Sequence, residues 1–292
     1  MKIGALEAGG TKMVCAIYDD NSALIKKETF PTKEPSKTLP VLIGFFKKEG
    51  IDALGIGSFG PVDLDKGSPT YGYITKTPKE GWKDTDIAGL FKRELKIPVG
   101  FDTDVNCSAI GEHEFGIGKD VDSLVYITIG TGIGIGVISE GKVIHGAMHP
   151  EGGHIMLTKS PKDPSGSVCP YHDSCFEGLC SGPSIEKRWG KKGADLSDDP
   201  KVWELEACYI AQAVFTYTAV LSPKRIILGG GVMHQSAMLP LIREKFSEYN
   251  GGYINNKFVN DPDTYIVLQS LDDEQGILGA YILGLRALGK SV

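Results

Sequence analysis

Two β-prone segments flank a glycine-rich turn that contains threonine, and this arrangement occurs twice in the 292-residue chain. The first copy lies in residues 2–18 around Thr11, and the second is formed by Leu124–Ile129 and Ile135–Ser139 around Thr131. Each copy predicts two antiparallel strands joined by a turn. The repeat therefore predicts two related α/β halves, and two such turns facing one another would suit the phosphates of a nucleotide.

The first half continues in a strand and helix order. Thr38–Lys48 has the spacing of an amphipathic helix, and Ala53–Gly57 is typical of a buried strand that leads into SFGPVD. Ligands of open α/β sheets bind at the carboxyl ends of strands, so Gly60 and Pro61 are candidates to face one. Val99–Phe101 predicts a further strand.

Asp104 follows that strand within DTDVN, and a helix is predicted from Val105 through Glu114. An acid at this position is a natural helix N-cap. It also suits a general base, because a sugar hydroxyl that attacks a phosphoryl group must lose its proton to a nearby acceptor. The two interpretations do not exclude each other.

The second half ends in a helical series. Trp203–Leu221 predicts a long helix, Arg225–Leu228 a short strand that runs into GGGV, and Ala237–Tyr249 another helix. Residues 250–264 are loop-rich, and Gln275–Leu288 predicts an apolar closing helix. The three glycines make room for a flat base or ribose, although a flexible connector is the alternative interpretation.

The segment Glu151–Glu177 combines metal-ligating and acidic residues. His154, Cys169, His172 and Cys175 are four good zinc ligands, and an acid flanks them at each end. Spacing alone also permits a disulfide between Cys169 and Cys175. If one ion gathers the four ligands, the loop between Met156 and Val168 is closed and both acids come to the same place.

Composition limits the class of protein. The net charge of −6 and the lack of a long basic run argue against nucleic acid or an anionic membrane as partners. The length predicts two domains. We expect a cytoplasmic protein, because no signal peptide or membrane helix is visible. The other four cysteines, in apolar or small surroundings, are expected to be buried: Cys15, Cys107, Cys180 and Cys208.

The motifs taken in order resemble the ROK sugar-kinase family, and bacterial fructokinases within it. They are EAGGTK, SFGPVD, FDTDVN, ITIGTGIG, EGGH, CPYHDSC, FEGLCSGPSIEKRWG and ILGGGV, and they extend over nearly the whole chain. The resemblance implies the actin-like ATPase (ribonuclease H-like) fold, with two α/β domains and a cleft for ATP and sugar. It also implies ATP-dependent phosphorylation of fructose, Mg²⁺, structural Zn²⁺ and a homodimer. The expected domains are residues 1–117 with 277–292, and residues 118–276.

Site residues follow from the same resemblance. Asp104 is the expected base, and the groups expected to contact sugar are Gly60, Thr103, Asp104, Glu151, His154 and Glu177. The expected ATP-binding residues are Gly9, Gly10, Thr11, Lys12, Gly130, Thr131, Gly132, Pro183, Gly229, Gly230, Gly231, Val232 and Met233. The expected zinc ligands are His154, Cys169, His172 and Cys175.

Two positions depart from the family pattern. Glu7 stands where most relatives have aspartate. That acid is expected near Mg²⁺, usually through water, and the added methylene of glutamate makes direct coordination of the ion less expected. Thr103 stands where asparagine is frequent, and its hydroxyl is expected either to favour fructose over glucose or to be neutral.

Two alternatives to a fructokinase are a kinase for glucose, mannose or an N-acylhexosamine and a sugar-sensing regulator. A transcriptional regulator with DNA-binding helices is not expected, because Gly9 leaves no room upstream for a helix-turn-helix and the acidic charge disfavours DNA. A sugar-sensing module without turnover would not need Asp104.

Overall fold

The computed structural model describes residues 1–163 and 165–290. It contains two compact units. Unit 1 comprises Met1–Lys119, Val143–Pro150 and the chain from Ser270, and unit 2 comprises Asp120–Lys142 and Glu151–Gln269. Residue 164 of the predicted zinc loop and residues 291–292 of the predicted first domain lie outside the described residues. The domain limits expected from the sequence stay a prediction.

Unit 1 alternates strands and helices, with three strands first. In chain order its elements are β1 (Lys2–Ala8), β2 (Lys12–Asp19), β3 (Leu24–Pro31), α1 (Pro35–Glu49), β4 (Ala53–Ser58), β5 (Tyr73–Ile74), β6 (Thr85–Asp86), α2 (Ile87–Leu95), β7 (Val99–Thr103) and α3 (Asp104–Glu114).

Unit 2 has a similar beginning and more helices. Its strands are β8 (Leu124–Ile129), β9 (Ile133–Ser139), β10 (Lys142–Val143, at the boundary with unit 1), β11 (Arg225–Gly229) and β12 (Ile266–Leu268). Its helices are α4 (Phe176–Cys180), α5 (Gly182–Trp189), α6 (Pro200–Leu221), α7 (Met238–Asn250) and α8 (Pro262–Tyr265), with 3₁₀ turns at Gly152–His154, Gly193–Leu196 and Gly231–His234. The last helix, α9 (Gln275–Ala287), belongs to unit 1.

The two main sheets have the same topology. The strand order is β3-β2-β1-β4-β7 in one and β10-β9-β8-β11-β12 in the other. In each sheet the first two strands pair antiparallel across a glycine turn, and the first strand pairs parallel with the fourth. The expectation of two related α/β halves, drawn from the glycine turns, is confirmed by this repeated order.

Helices cover both faces of the unit 1 sheet. Because alternate side chains of a strand point to opposite faces, the strands contribute to two separate cores. Leu6 of β1 joins the core formed with α1 and α2. Ile3 joins the other core, with Cys107 of α3 and Tyr281 of α9. The helices α3 and α9 pack so closely that a Cβ on Gly279 would lie 1.8 Å from the Cys107 carbonyl oxygen. This contact fixes the helix that begins at Asp104.

Most predicted elements occur, with shifted ends. Helix α1 begins at Pro35, three residues before the predicted start, because proline suits the first turn of a helix. Helix α6 likewise begins at Pro200, after an Asp199 N-cap. Among the described elements, the sequence did not predict α2, α4, α5, α8, β5, β6, β10 and β12. Within the described residues, no helix is both long and apolar enough to cross a bilayer.

Candidate active site

The first glycine turn joins β1 to β2 and is braced by a neighbouring strand end. The Gly9 amide donates to the Lys12 carbonyl at 3.0 Å, and a Cβ on Gly9 would lie 2.7 Å from that oxygen. The Thr32 hydroxyl donates to the Gly9 carbonyl at 2.7 Å, and the Thr32 amide donates to the Thr11 carbonyl. Thr11 and Lys12 are exposed. The turn is thus held in place while its hydroxyl and cation remain accessible.

Glu7 lies on β1 just before this turn. Burial raises the pKa of its carboxyl, and nearby Lys12 partly opposes the rise. A Cβ on Gly276 of α9 would lie 2.8 Å from the Glu7 carboxyl carbon, so glycine there provides the space the acid occupies. Mg²⁺ takes one or two protein carboxylates along with phosphate oxygens and water, so the Glu7 carboxyl beside this turn is of the type that could hold the ion.

Helix α3 begins with the DTDVN motif, and the structure corrects the expected cap. The N-cap is Thr103 and not Asp104: the Thr103 hydroxyl accepts from the Asn106 amide at 3.0 Å, and its backbone is extended. Asp104 is therefore the first helical residue, where the helix dipole favours a carboxylate. Its Oδ1 accepts from the Val105 amide at 2.9 Å. The Thr103 side chain is 3% exposed, and its hydroxyl caps the helix.

Asp102 forms a contact that the sequence did not reveal. Its Oδ2 lies 2.9 Å from His145 Nε2, while its Oδ1 accepts from the Thr103 amide and the Asn106 side-chain amide. The hydrogen bond to Asp102 raises the pKa of His145, although burial opposes the rise. This pair ties the segment around His145 to the turn that leads into Asp104.

His149 holds the SFGPVD loop. The Val62 amide donates to His149 Nε2 at 3.2 Å, so the ring proton is on Nδ1, which faces the Pro150 carbonyl at 3.5 Å. Burial lowers the pKa of His149, which favours this neutral form. A Cβ on Gly60 would lie 3.6 Å from the His149 ring. The predicted loop is present, but no sequence pattern indicates the histidine that fixes it.

The second glycine turn, Gly130–Gly132 between β8 and β9, belongs to unit 2. The Gly130 amide donates to the Gly132 carbonyl at 2.9 Å, and the Gly130 carbonyl accepts from the Gly182 amide at 2.7 Å. Gly182 begins α5, which also carries the exposed Pro183. Thr131 and Gly132 are exposed. The structure therefore brings Pro183 near this turn through its neighbour.

The third glycine run leaves β11 and enters a 3₁₀ turn. Gly230 has φ +86°, and a Cβ there would lie 2.5 Å from the Ile129 carbonyl oxygen, so this position requires glycine. A Cβ on Gly231 would meet open space, whereas Gly229 packs against Tyr126 and Gln269. The side chains of Val232 and Met233 are buried in unit 2. Of the expected adenosine residues, Gly231 is thus the one with free space around it.

The four predicted zinc ligands lie together. One ligand atom from each of His154, Cys169, His172 and Cys175 falls within 4.8 Å of the others. The Nδ1 of His154 lies 3.9 Å from Cys169 Sγ and 3.6 Å from Cys175 Sγ, and His172 Nδ1 lies 3.5 Å from Cys169 Sγ. Tetrahedral zinc with ordinary bond lengths places nitrogen and sulfur ligands about 3.5 Å apart. The donor set and its spacing fit Zn²⁺.

The bonding and burial of the cysteines test two predictions: the alternative of a disulfide and the burial of four thiols. All six are free thiols, so the alternative of a disulfide between Cys169 and Cys175 is wrong. Cys15, Cys107 and Cys180 are buried as expected, but Cys208 is only half-buried, because it lines a surface pocket together with Lys159 and Tyr249.

The two acids of this segment differ in their surroundings. Glu151 is exposed as a residue, yet desolvation by the surrounding protein raises the pKa of its carboxyl; His154 opposes this rise and Glu177 adds to it. Glu177 lies on α4, whose N-cap is the zinc ligand Cys175. Its Oε2 accepts from the Ile133 amide at 2.9 Å. The acid predicted to hold sugar thus contacts the residue that follows the second glycine turn.

Comparison with known proteins defines the class. The ROK family profile matches residues 3–287, so the chain belongs to the ROK family. A ROK glucokinase from Streptomyces griseus, solved with glucose and AMPPNP, has a TM-score of 0.75 at 22% identity, covering 98% of this chain and 100% of that one. The mixed α/β structure with two sheets has the actin-like ATPase fold of these kinases, as the sequence predicted.

Two relatives are more similar in sequence. A fructokinase from Pediococcus pentosaceus is 46% identical, with 99% of each chain covered. A fructokinase from Streptococcus mutans is 44% identical, covering 99% of this chain and 97% of the relative.

Proposed function

We propose that the protein transfers the γ-phosphoryl group of ATP to the 6-hydroxyl of D-fructose. The observation that carries the proposal is the likeness to fructokinases over essentially the whole chain, combined with a carboxylate at the start of α3 and two braced glycine turns.

Asp104 accepts the proton of the attacking hydroxyl. It lies at the first turn of α3, where the helix dipole favours a carboxylate, and the Val105 amide orients one oxygen. A fixed carboxylate is the acceptor that this step requires, because phosphoryl transfer depends mainly on positioning and charge stabilisation. His145 and Asp102 hold the preceding turn.

The glycine turns hold the phosphates. The Gly9 and Gly130 amides close their own turns, so the backbone amides of residues 10–11 and 131–132 are the ones suited to phosphate oxygens, and the exposed Lys12 offsets their charge. Mg²⁺, when bound with ATP, neutralises the β- and γ-phosphates, and Glu7 is the residue that would hold it. Gly231 leaves room for the adenosine, beside the backbone of Val232 and Met233.

Glu151, His154 and Glu177 hold the sugar hydroxyls. Because His154 directs Nδ1 to the two sulfurs, its Nε2 is left to face a sugar hydroxyl. Zn²⁺, when bound by its four protein ligands, supplies a structural cross-link and has no open position for substrate. Its ligands fix the ring of His154 and the helix that carries Glu177. Gly60, beside His149, and Thr103, at the end of β7, are the remaining residues that we propose to contact the sugar.

A ROK hexokinase of another specificity is the alternative, because such enzymes share the same motifs. The fructokinase likeness at 44–46% identity favours fructose over that alternative. We also propose that the protein forms a homodimer, as the family resemblance implies.

A coupled assay of ADP release tests the proposal. Fructose, glucose, mannose and N-acetylmannosamine are compared at equal concentrations, and kcat/KM is expected to be highest for fructose. A higher kcat/KM for any of the other three sugars would assign the enzyme to that sugar. Failure of all four to release ADP would reject the kinase assignment.

A further inference from the structure

Glu177 makes a contact that a sugar ligand does not need. Its Oε2 accepts a hydrogen bond of 2.9 Å from the amide of Ile133, the first residue of β9. Ile133 directly follows the turn Gly130–Gly132, and its side chain is buried. The carboxylate therefore holds the end of the turn at a point where the backbone cannot move without breaking this bond.

The turn is shaped around this carboxylate. A Cβ on Gly132 would lie 2.8 Å from Glu177 Oε2, so a side chain there would displace the acid. The other end of the turn is held by the Gly182 amide, which donates to the Gly130 carbonyl at 2.7 Å. Both ends of Gly130–Gly132 are thus fixed by the region that follows the metal cluster, one by Glu177 of α4 and one by the start of α5.

The helix that carries Glu177 is itself anchored at the metal cluster, the four candidate zinc ligands His154, Cys169, His172 and Cys175. Cys175 Sγ accepts from the Gly178 amide at 3.3 Å and caps α4. The Phe176 amide donates to the Ile155 carbonyl at 2.9 Å, next to His154. Glu177 therefore has a backbone fixed from both sides and one carboxylate oxygen committed to Ile133.

We infer that Glu177 is a positioning residue for the second phosphate turn, in addition to its contact with sugar. This inference rests on the proposed function, because it takes Gly130–Gly132 as a nucleotide-binding turn. Oε2 orders the turn before nucleotide binds, and Oε1 is the oxygen left for the sugar. Loss of the contact leaves the Ile133 amide without its partner and lets the turn relax, which weakens nucleotide binding even when no sugar is present.

The test measures MgADP affinity by calorimetry without any sugar. Glu177→Asp keeps the charge but shortens the side chain by one methylene, and Glu177→Gln keeps the length and an acceptor oxygen but loses the charge. We expect Glu177→Asp and Glu177→Ala to weaken MgADP about 3- to 10-fold, the range of one lost hydrogen bond. Glu177→Gln is expected to stay within about 2-fold of wild type, because its amide oxygen accepts from Ile133.

A control separates this effect from the sugar contact. Glu151→Ala should lower fructose affinity and leave MgADP affinity unchanged. Hydrogen exchange of the peptide spanning residues 130–136 provides a second measurement, and it should be faster in folded Glu177→Asp than in Glu177→Gln.

Equal MgADP affinity in wild type, Glu177→Asp and Glu177→Ala, with unchanged exchange, would overturn the inference while leaving the kinase assignment intact. A wild-type protein that binds no MgADP would overturn both.

Discussion

Replacing Cys169 with serine should remove the zinc-dependent part of the protein's stability. The structure places Cys169 Sγ within 3.9 Å of His154 Nδ1 and 3.5 Å of His172 Nδ1, so this sulfur contacts both imidazole ligands of the cluster. Its loss leaves three protein ligands and an open position, which converts a closed structural site into a weaker one. The variant should purify with much less than one zinc per chain.

The size of the effect follows from linkage. An ion that binds only the folded protein, at a free concentration of one hundred times its Kd, stabilises it by about 2.7 kcal/mol. For a domain of this size each kcal/mol shifts Tm by about 2–4 °C. Chelation should therefore lower the Tm of wild type by about 5–10 °C, and Cys169→Ser should have the lower value with or without chelator.

Scanning fluorimetry with and without a chelator, together with elemental analysis, measures both quantities. Cys208→Ser is the matched control, because Cys208 is a half-buried thiol outside the metal cluster. We expect it to retain zinc and the response of wild type to chelation. Wild-type protein without zinc, whose Tm is also unaffected by adding zinc and then chelator, would refute this reasoning.

The remaining predictions concern catalysis and pH. Asp104→Asn should lower kcat about 10²- to 10⁴-fold with nearly unchanged MgADP affinity, because it removes only the proton acceptor. Steady-state kinetics measure kcat, and calorimetry measures the MgADP affinity. Asp122→Asn, at an exposed ion pair, serves as the control. Full turnover in Asp104→Asn would reject the base assignment. His145 has its pKa raised by Asp102, so its contribution to stability is fully present below about pH 6.5, its unfolded value, and is lost as pH rises through the folded pKa. Because the pair is partly exposed, we expect up to about 1 kcal/mol, measured as the difference in unfolding free energy between wild type and His145→Gln at pH 6 and pH 9. An equal difference at both pH values would contradict that assignment.

Local patterns were enough to predict the parts of the site built from short stretches of chain. The glycine turns were recognisable because strand-like sequence flanks them, and the zinc ligands because four strong ligands lie within 22 residues, from His154 to Cys175. The N-cap was assigned one residue too late, since Thr103 and Asp104 are both good caps. Only the extended backbone at the end of β7 decides between them.

Contacts between distant residues could not be predicted in this way. His145 and Asp102 are 43 residues apart, and His149 and Val62 are 87 residues apart. A single histidine carries no spacing signal, so its partner depends on how the sheet brings separate loops together. The short strand β12, with three residues, also lacks a period long enough to recognise.

Phosphorus NMR of the product formed from ATP and fructose tests the central proposal most directly. The proposal predicts fructose 6-phosphate and ADP in equal amounts, with no product from Asp104→Asn on the same time scale. Fructose phosphorylated at another hydroxyl, or ADP formed with free phosphate alone, would contradict it.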